Sequence, residues 1–108
     1  MKKVINVLQF VRGCEPRNPE IDLYEPMRGH IALLREYGLC GTFLLQYDAL
    51  IDSEFVFLAR EAQPLAEIGL WLEIVQPLAE RANVKWKGRF SWDWESDKGT
   101  LIAYTPSE

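Results

Sequence analysis

The chain alternates apolar runs with segments of helical periodicity, a pattern that predicts three strands separated by two helices. Residues 4–11 and 42–46 are short runs rich in β-branched and aromatic side chains, and residues 66–74 are apolar at nearly every position. Such runs are typical of strands that are buried on both faces, as in parallel sheets. The order strand, helix, strand, helix, strand therefore predicts an α/β architecture with right-handed crossovers.

The ends of the two predicted helices carry capping and stop signals. Asp22 is a suitable N-cap for the first helix, and Gly38 is a suitable residue to end it. The second helix is predicted to begin at Asp52 or Ser53 and to end before Pro64. The apolar positions of the first helix recur at helical spacing and are Leu23, Met27, Ile31, Leu34 and Tyr37.

The periodic pattern weakens after the third strand. We assign residues 1–76 to β/α units and residues 77–108 to an irregular, aromatic-rich segment, within a single α/β domain or fragment spanning 1–108. The chain closes on Thr105, Pro106, Ser107 and Glu108, the pattern of a capping box with no helix behind it. We therefore expect a truncated chain, the N-terminal part of a larger barrel or sheet protein; the alternative is a natural tail that looks like a cap.

Composition and charge narrow the class of partner and the compartment. The 108 residues suffice for one modest domain, and a content of 48% hydrophobic and 26% charged residues is that of a globular protein. The formal net charge of −4 argues against a nucleic-acid partner. The first apolar run is too short and too polar for a signal peptide or a membrane span, so we predict no membrane partner and a cytoplasmic location.

Cysteine and histidine usage limits the chemistry that the chain can carry. Cys14 and Cys40 fit neither a disulfide framework nor a zinc site, and we expect Cys14 to be a buried thiol. The single histidine, His30, is interpreted as structural, and no site built from several histidines can form within the chain. We therefore predict neither a metal nor a cofactor.

Two short motifs resemble the polysaccharide deacetylase family and its glycoside hydrolase relatives. They are the "TF" of residues 42–43 and the "EIG" of residues 67–69, separated by one predicted helix. The resemblance implies the N-terminal portion of a (β/α)7-type barrel that acts on carbohydrate at the carboxyl ends of its strands. In that family two metal-binding histidines follow "EIG", whereas here the same positions are Trp71 and Val75, and "VRGCEPR" replaces the paired aspartates expected after the first strand. The resemblance therefore implies metal-independent chemistry, as in the glycoside hydrolase branch that needs only two carboxylates.

The candidate site residues follow the predicted strands, where loops of such folds carry function. Glu73 is the first catalytic candidate because it interrupts an apolar run; Glu15 and Asp48 are the others. Each has a structural alternative: a salt-bridged glutamate for Glu73, a surface ion pair for Glu15, and a turn or N-cap residue for Asp48. The substrate-binding candidates are Trp71, Arg12, Arg17, Trp92 and Trp94.

Three functions stay open at this point, and so does the question of whether the chain is an enzyme. The chain is a carbohydrate-active hydrolase, a non-catalytic carbohydrate-binding domain, or a small α/β domain whose likeness to deacetylases is coincidental. The expected partner is a carbohydrate substrate, with a homo-oligomer or a missing C-terminal half of the barrel as further alternatives. Carboxyl oxygens of Glu15 and Glu73 about 5–10 Å apart in one cleft would favour hydrolysis.

Overall fold

The computed structural model describes residues 2–15, 17–88, 90 and 104–108, and these form an α/β fold around a three-stranded sheet. The strands are β1 (Leu8–Val11), β2 (Gly41–Leu45) and β3 (Ala66–Leu70), which are parallel and lie in the order β1-β2-β3. The helices of the described residues are α1 (Tyr24–Tyr37), α2 (Tyr47–Leu50), α3 (Ser53–Glu61) and α4 (Gln76–Arg81). The prediction of an α/β architecture with parallel strands is therefore confirmed.

One face of the sheet carries the hydrophobic core. Successive strand residues point to opposite faces, and Val11, Phe43, Leu45 and Ala66 all point toward the helices and are buried. Two helices supply the opposing layer, which consists of Met27, Ile31 and Leu34 of α1 and Phe55, Leu58 and Ala59 of α3. Both helices thus pack on the same face of the sheet.

The opposite face of the sheet, here called the open face, is much less buried. It presents Leu8 and Phe10 of β1, which keep 52% and 50% of their surface exposed. The expectation that all the strands are buried on both faces is therefore wrong for β1. An unbroken apolar run is compatible with a layer of structure on each face of the sheet, but the run alone does not determine that both layers are present.

The strands are shorter than the apolar runs that predicted them. β1 begins at Leu8, and the preceding Val4 and Ile5 are 79% and 74% exposed. β3 ends at Leu70, the residue paired with the last residue of β2, and residues 71–75 continue without regular structure. A strand needs a neighbouring strand to form its hydrogen-bond ladder, so its length depends on that neighbour. The hydrophobicity of a single apolar run does not show where the neighbouring strand ends.

The helix ends agree with the predicted signals at Asp52 and Gly38, whereas the N-cap position of α1 is Leu23, one residue after the predicted Asp22. The Asp22 carboxylate accepts hydrogen bonds from the backbone N–H groups of Tyr24 and Glu25 at 2.8 and 3.2 Å, and Asp52 caps α3. Gly38 ends α1 in the left-handed conformation with φ of 61°, which a glycine adopts without strain. Tyr37, assigned to the apolar stripe of α1, is 68% exposed, so that assignment is wrong.

The predicted C-terminal capping box forms in part, through the bond from the Thr105 backbone to the Glu108 side chain. The backbone N–H and the hydroxyl of Thr105 both donate to a Glu108 carboxylate oxygen at 2.9 Å, and Lys87 Nζ lies 2.8 Å from the same oxygen. The hydrogen bond from Lys87 and those from Thr105 together lower the pKa of Glu108 to about 2.

None of the described helices is long and apolar enough to cross a membrane, the longest being α1 with 14 residues.

Candidate functional site

The candidate site lies where the three parallel strands end. Arg12, Gln46 and Trp71 directly follow β1, β2 and β3, respectively. Gln46 N donates to the Val11 carbonyl and Trp71 N donates to the Leu45 carbonyl, both at 2.9 Å, so the ladder of hydrogen bonds continues one residue past the strands. The parallel topology therefore brings residues that are about 25–35 positions apart in the chain to one edge of the sheet.

Trp71 is the centre of an aromatic and cationic cluster at this edge. The Arg12 guanidinium carbon lies 5.2 Å from the centroid of the Trp71 ring, within the range of a cation–π contact. The Phe10 ring meets the Trp71 ring edge to face, with centroids 4.9 Å apart and an angle of 64° between the planes. Trp71 therefore reaches from the end of β3 across β2 to residues of β1.

A cavity of about 380 Å³ lies beside β1 and includes this cluster in its wall. Its volume is at the lower end of the range of about 300–1,000 Å³ that small-molecule sites occupy. The polar and aromatic part of the wall is made by Gln9, Phe10, Arg12, Glu15 and Trp71, and the apolar part by Val11, Leu23, Pro26 and Met27. Three of the residues that the sequence singled out, Arg12, Glu15 and Trp71, are thus brought together in one concave site.

Glu15 has structural contacts as well as a place in the cavity wall. One carboxylate oxygen accepts the backbone N–H of Arg17 at 3.1 Å, and the other lies 3.9 Å from Arg12 Nη1. The side chains of Arg12 and Glu15 keep 23% and 20% of their surface exposed, so this long ion pair lies at the rim of the cavity. Arg17 is exposed and does not line this cavity, so the structure separates it from the other substrate-binding candidates.

Glu73 lies three residues past the end of β3, in the irregular segment 71–75, and not within the strand as predicted. Its carboxylate accepts a hydrogen bond of 2.6 Å from the side-chain amide of Gln46, which is only 1% exposed. Glu73 does not line the cavity that contains Glu15. Glu15 and Glu73 therefore have different environments: Glu15 lies in the cavity wall, and Glu73 is hydrogen-bonded to the buried Gln46.

Gln46 is the residue of this edge that the sequence did not single out. A glutamine that closes an apolar strand at its carboxyl end is a weak signal on its own, because many such residues are solvated. Its near-complete burial and its bond to a charged acceptor distinguish it, since a buried amide is stabilised only when it is hydrogen-bonded.

Asp48 connects the loop after β1 to the segment after β2. One of its oxygens accepts the backbone N–H groups of Gly13 at 2.9 Å and Ala49 at 2.8 Å, and the other accepts that of Cys14 at 3.2 Å. Backbone donors thus engage both oxygens. This geometry matches the turn or N-cap role that was the structural alternative for Asp48, and a catalytic role for it stays a prediction.

Cys14 is exposed at its surface, so the expectation of a buried thiol is wrong. Its Sγ nevertheless lies 3.6 Å from an Asp48 carboxylate oxygen. The pKa of Cys14 is raised to about 11, mainly because the thiol is partly buried. The negative charge of Asp48 and its hydrogen bond with the thiol raise this pKa further. At neutral pH the group is therefore a protonated thiol and a poor nucleophile.

Alkylation of Cys14 by iodoacetamide should therefore become fast only as the pH approaches 11. A rise of the pKa from 9.0 to about 11 lowers the thiolate fraction at neutral pH roughly 100-fold. The measurement is the alkylation rate against pH in a Cys40→Ser background. Asp48→Asn removes the negative charge and should move the midpoint to lower pH; an unchanged midpoint would show that Asp48 does not act on the thiol.

Across the described ranges, no three histidine, cysteine, aspartate or glutamate side chains come together as metal ligands. His30 is exposed on α1. The two remaining substrate-binding candidates, Trp92 and Trp94, lie outside the described residues.

A second cavity, of about 350 Å³, lies between α4 and the C-terminal residues and is lined mainly by apolar groups such as Leu78 and Pro106. It contains none of the described candidate residues, so we place the candidate site beside β1.

Comparison of the chain with known protein families, with curated proteins and with solved structures found no match. The resemblance to polysaccharide deacetylases therefore stays a prediction from the short motifs in β2 and β3. The geometry of the carboxyl edge is the basis on which a function can be assigned.

Proposed function

We propose that this protein binds carbohydrate in the cavity beside β1. The observation that carries the proposal is that Trp71, Phe10, Arg12 and Glu15 form the wall of one cavity of about 380 Å³. A sugar ring has apolar C–H faces and a rim of hydroxyl groups, so its site needs an aromatic surface next to groups that donate and accept hydrogen bonds. Here the two rings supply the surface, the guanidinium supplies donors and the carboxylate supplies acceptors.

Binding is better supported than hydrolysis by the positions of the two glutamates. Hydrolysis needs two carboxyl groups on either side of one glycosidic bond, about 5–10 Å apart. Glu15 lies in the cavity wall, whereas Glu73 does not line that cavity and is hydrogen-bonded to the buried Gln46.

Glycoside hydrolysis by Glu73 and Glu15 is the second candidate function. It is favoured by one observation, that Glu73 lies at the carboxyl edge of a parallel sheet, where α/β barrels carry their chemistry.

The parallel sheet is compatible with a larger α/β protein. Its three strands lie in the order β1-β2-β3, with a helix following β1 and helices following β2. The sheet is therefore proposed to be the N-terminal portion of a (β/α)7-type barrel, as the motif resemblance implies.

Binding to a panel of soluble glycans, measured by titration calorimetry, tests the proposed function. Trp71→Ala should weaken binding about three- to tenfold, because stacking on an aromatic ring contributes on the order of 0.5–1.5 kcal/mol beyond other contacts. Trp71→Phe keeps an aromatic surface and should retain part of the affinity. Trp86→Ala removes a tryptophan that does not line the cavity beside β1 and should leave the affinity unchanged.

The same panel separates a binder from a hydrolase when the products are analysed by chromatography. Cleavage by the parent that is lost in Glu73→Gln, with binding retained, would support hydrolysis. Binding without cleavage would support the non-catalytic domain. If no glycan binds, or if Trp71→Ala binds as tightly as the parent, the proposal fails.

A further inference from the structure

The outer edge of β1 presents backbone groups that point away from the sheet. The carbonyls of Val7 and Val11 accept hydrogen bonds of 2.9 Å from the N–H groups of β2 and of the residue that follows it. Because alternate residues of a strand direct their N–H and C=O groups to opposite edges, Gln9 also faces β2, whereas Leu8 and Phe10 face outward. In the part of the chain that the structure describes, β2 is the one strand beside β1, so another strand can add at this outer edge.

One exposed side chain takes the place of a neighbouring strand at this edge. The Gln9 amide donates a hydrogen bond of 3.0 Å to the Phe10 carbonyl, one of the two outward acceptors. It leaves the N–H groups of Leu8 and Phe10 directed outward, and these are the donors that a further strand would use.

The side of α1 that faces away from α3 carries a second, largely apolar stripe. Two contacts mark the side toward α3: the Arg35 guanidinium donates to the Glu61 carbonyl at 2.6 Å, and the Tyr24 ring meets the Phe55 ring edge to face. The residues at helical spacing on the opposite side, here called the outer stripe, are Pro26, His30, Leu33 and Tyr37.

The outer stripe and the outer edge of β1 lie on the same side of the molecule. Pro26 lines the cavity beside β1, which places the stripe next to that edge. Leu33 and Tyr37 keep 50% and 68% of their surface exposed. A strand edge and an exposed helical stripe side by side are typical of a surface to which a second α/β layer docks.

We propose that a second copy of this chain adds to the outer edge of β1, about a two-fold axis perpendicular to the sheet at Gln9. The two β1 strands become antiparallel neighbours, and two three-stranded sheets join into one continuous sheet. Gln9 then faces its own counterpart, as residues on the axis of any isologous interface do. Leu8 exchanges both of its backbone hydrogen bonds with the partner's Phe10, and Phe10 with the partner's Leu8, so the outward groups of both copies are bonded.

The side chains that become neighbours in this register are apolar on both faces of the sheet. On the open face, Leu8 and Phe10, which are about half exposed, lie beside the partner's Phe10 and the partner's Leu8. On the helical face, Val7 lies beside the partner's Val11. An axis at Leu8 would instead place Phe10 beside the partner's Asn6, and an axis at Phe10 would place Leu8 beside the partner's Arg12. Of these three axes, the one at Gln9 gives the apolar pairs that stabilise neighbouring strands.

The same axis brings the two outer stripes to the distance at which helices pack. Neighbouring strands are about 4.8 Å apart, and the helix of a β-α-β unit packs over the two strands that it joins. The α1 helix therefore lies about 5 Å from the axis, and the two α1 helices lie about 10 Å apart, close to the usual distance between packed helices of about 8–10 Å. Because the axis is perpendicular to the sheet, both helical layers lie on the same side and the stripes meet.

A further strand of the same polypeptide, as in a closed barrel, is the other occupant of this edge. That strand would lie parallel to β1 and would leave the protein monomeric. The second copy is the better fit because one symmetry operation bonds the outward backbone groups, pairs the apolar side chains and brings the outer stripes together.

The dimer needs no carbohydrate, although Gln9, Phe10 and Pro26 belong to the cavity wall as well as to this interface. Association is therefore measured without sugar, so that failure of the dimer and failure of glycan binding are separate results. One strand edge and one helical stripe form an interface at the small end of the usual range, so we expect a dissociation constant of roughly 1–100 µM.

Sedimentation equilibrium across this concentration range tests the proposal. The parent should show a monomer–dimer equilibrium, and Leu33→Asp should weaken it at least about tenfold, because a carboxylate would be buried between the two stripes. Phe57→Asp is the matched control, since Phe57 is 62% exposed on α3, and it should leave the equilibrium unchanged. A parent that stays monomeric, a Leu33→Asp protein that associates like the parent, or loss of the dimer in Phe57→Asp would each overturn the proposal.

Cysteine cross-linking tests the position of the axis. In a Cys14→Ser and Cys40→Ser background, Gln9→Cys places two thiols directly opposite one another, with Cβ atoms about 4.5–5.5 Å apart. Oxidation by diamide should then give a covalent dimer. Phe57→Cys in the same background should remain monomeric, and cross-linking of Phe57→Cys as readily as of Gln9→Cys would contradict the proposed axis.

Amide hydrogen exchange of the unsubstituted protein gives an answer that does not depend on how variants fold. The N–H groups of Leu8 and Phe10 should exchange fast in dilute solution and more slowly as the concentration rises through the dissociation constant, because the second copy bonds them. The Phe57 amide should exchange at the same rate throughout. Exchange at Leu8 and Phe10 that does not change with concentration would refute the pairing of the two strands.

Discussion

Replacing Gly13 by alanine should lower the free energy of unfolding by about 2–3 kcal/mol. A Cβ atom at this position would lie 2.5 Å from the carbonyl carbon of Asp48, 2.6 Å from its carbonyl oxygen and 2.7 Å from the nitrogen of Ala49. These are backbone atoms at the start of α2, and they cannot rotate away as a side chain can. The loop would have to withdraw from Asp48, which would break the hydrogen bond of 2.9 Å from Gly13 N to the Asp48 carboxylate.

Urea denaturation followed by circular dichroism measures this loss as a lower midpoint at unchanged slope. Gly29→Ala is the matched control, because a Cβ atom at Gly29 meets no atom within 4 Å on the surface of α1. That substitution should raise the stability by about 0.5–1 kcal/mol, since alanine favours a helix over glycine. A Gly13→Ala protein as stable as the parent would contradict the close approach of the two loops.

The sequence predicts the order β1, α1, β2, α3, β3 because each apolar run is long enough to specify a strand, but it predicts neither the short helix α2 nor the helix α4 within the segment assigned as irregular. The capping residues Asp22 and Asp52 and the stop at Gly38 act locally, within a few residues, and they occur where the sequence places them. The strand ends are different, because each is set by the length of a neighbour that is distant in the chain. β1 is shorter than its apolar run because β2 provides no partner before Gly41.

The covering of the sheet is a second property that the sequence does not specify. An apolar run at nearly every position is expected for a strand between two layers, and the same run also occurs when one layer is missing. The half-exposed Leu8 and Phe10 show that a strand side chain can be apolar and still lack a covering layer in the described part of the chain. The difference depends on what packs against the sheet, which no local pattern encodes.

The candidate site could be predicted in outline from topology alone. Parallel strands bring their carboxyl ends to one edge, and the candidates Arg12, Glu15 and Trp71, which follow β1 and β3, line one cavity there. The partner of each polar group could not be predicted, because it depends on distances of an ångström or less. Asp48 bonds to the loop after β1, and Glu73 bonds to Gln46 instead of facing Glu15 across a cleft.

Replacing Gln46 by leucine should lower the free energy of unfolding by about 2 kcal/mol, the typical contribution of a hydrogen bond to a charged group. Gln46 is 1% exposed, and leucine has a similar size, so the packing of the strand end changes little. What is lost is the amide donor that lies 2.6 Å from the Glu73 carboxylate. Gln9→Leu is the control, because the Gln9 amide donates to the neighbouring Phe10 carbonyl in an exposed position, and we expect a change below about 0.5 kcal/mol.

A double-mutant cycle separates the Gln46–Glu73 bond from the other contacts of each residue. Gln46→Leu, Glu73→Leu and the double variant should show a coupling free energy of about 1–2 kcal/mol, because removing both partners leaves no unpaired polar group at this bond. A coupling close to zero would mean that the bond does not contribute to the folded state.

The Gln46–Glu73 bond should also affect the cavity, because the segment 71–75 carries both Glu73 and Trp71. The bond to Gln46 attaches this segment to the end of β2. Gln46→Leu should therefore also weaken glycan binding, although Gln46 does not line the cavity. Glu73→Gln can still accept the bond and should weaken glycan binding less.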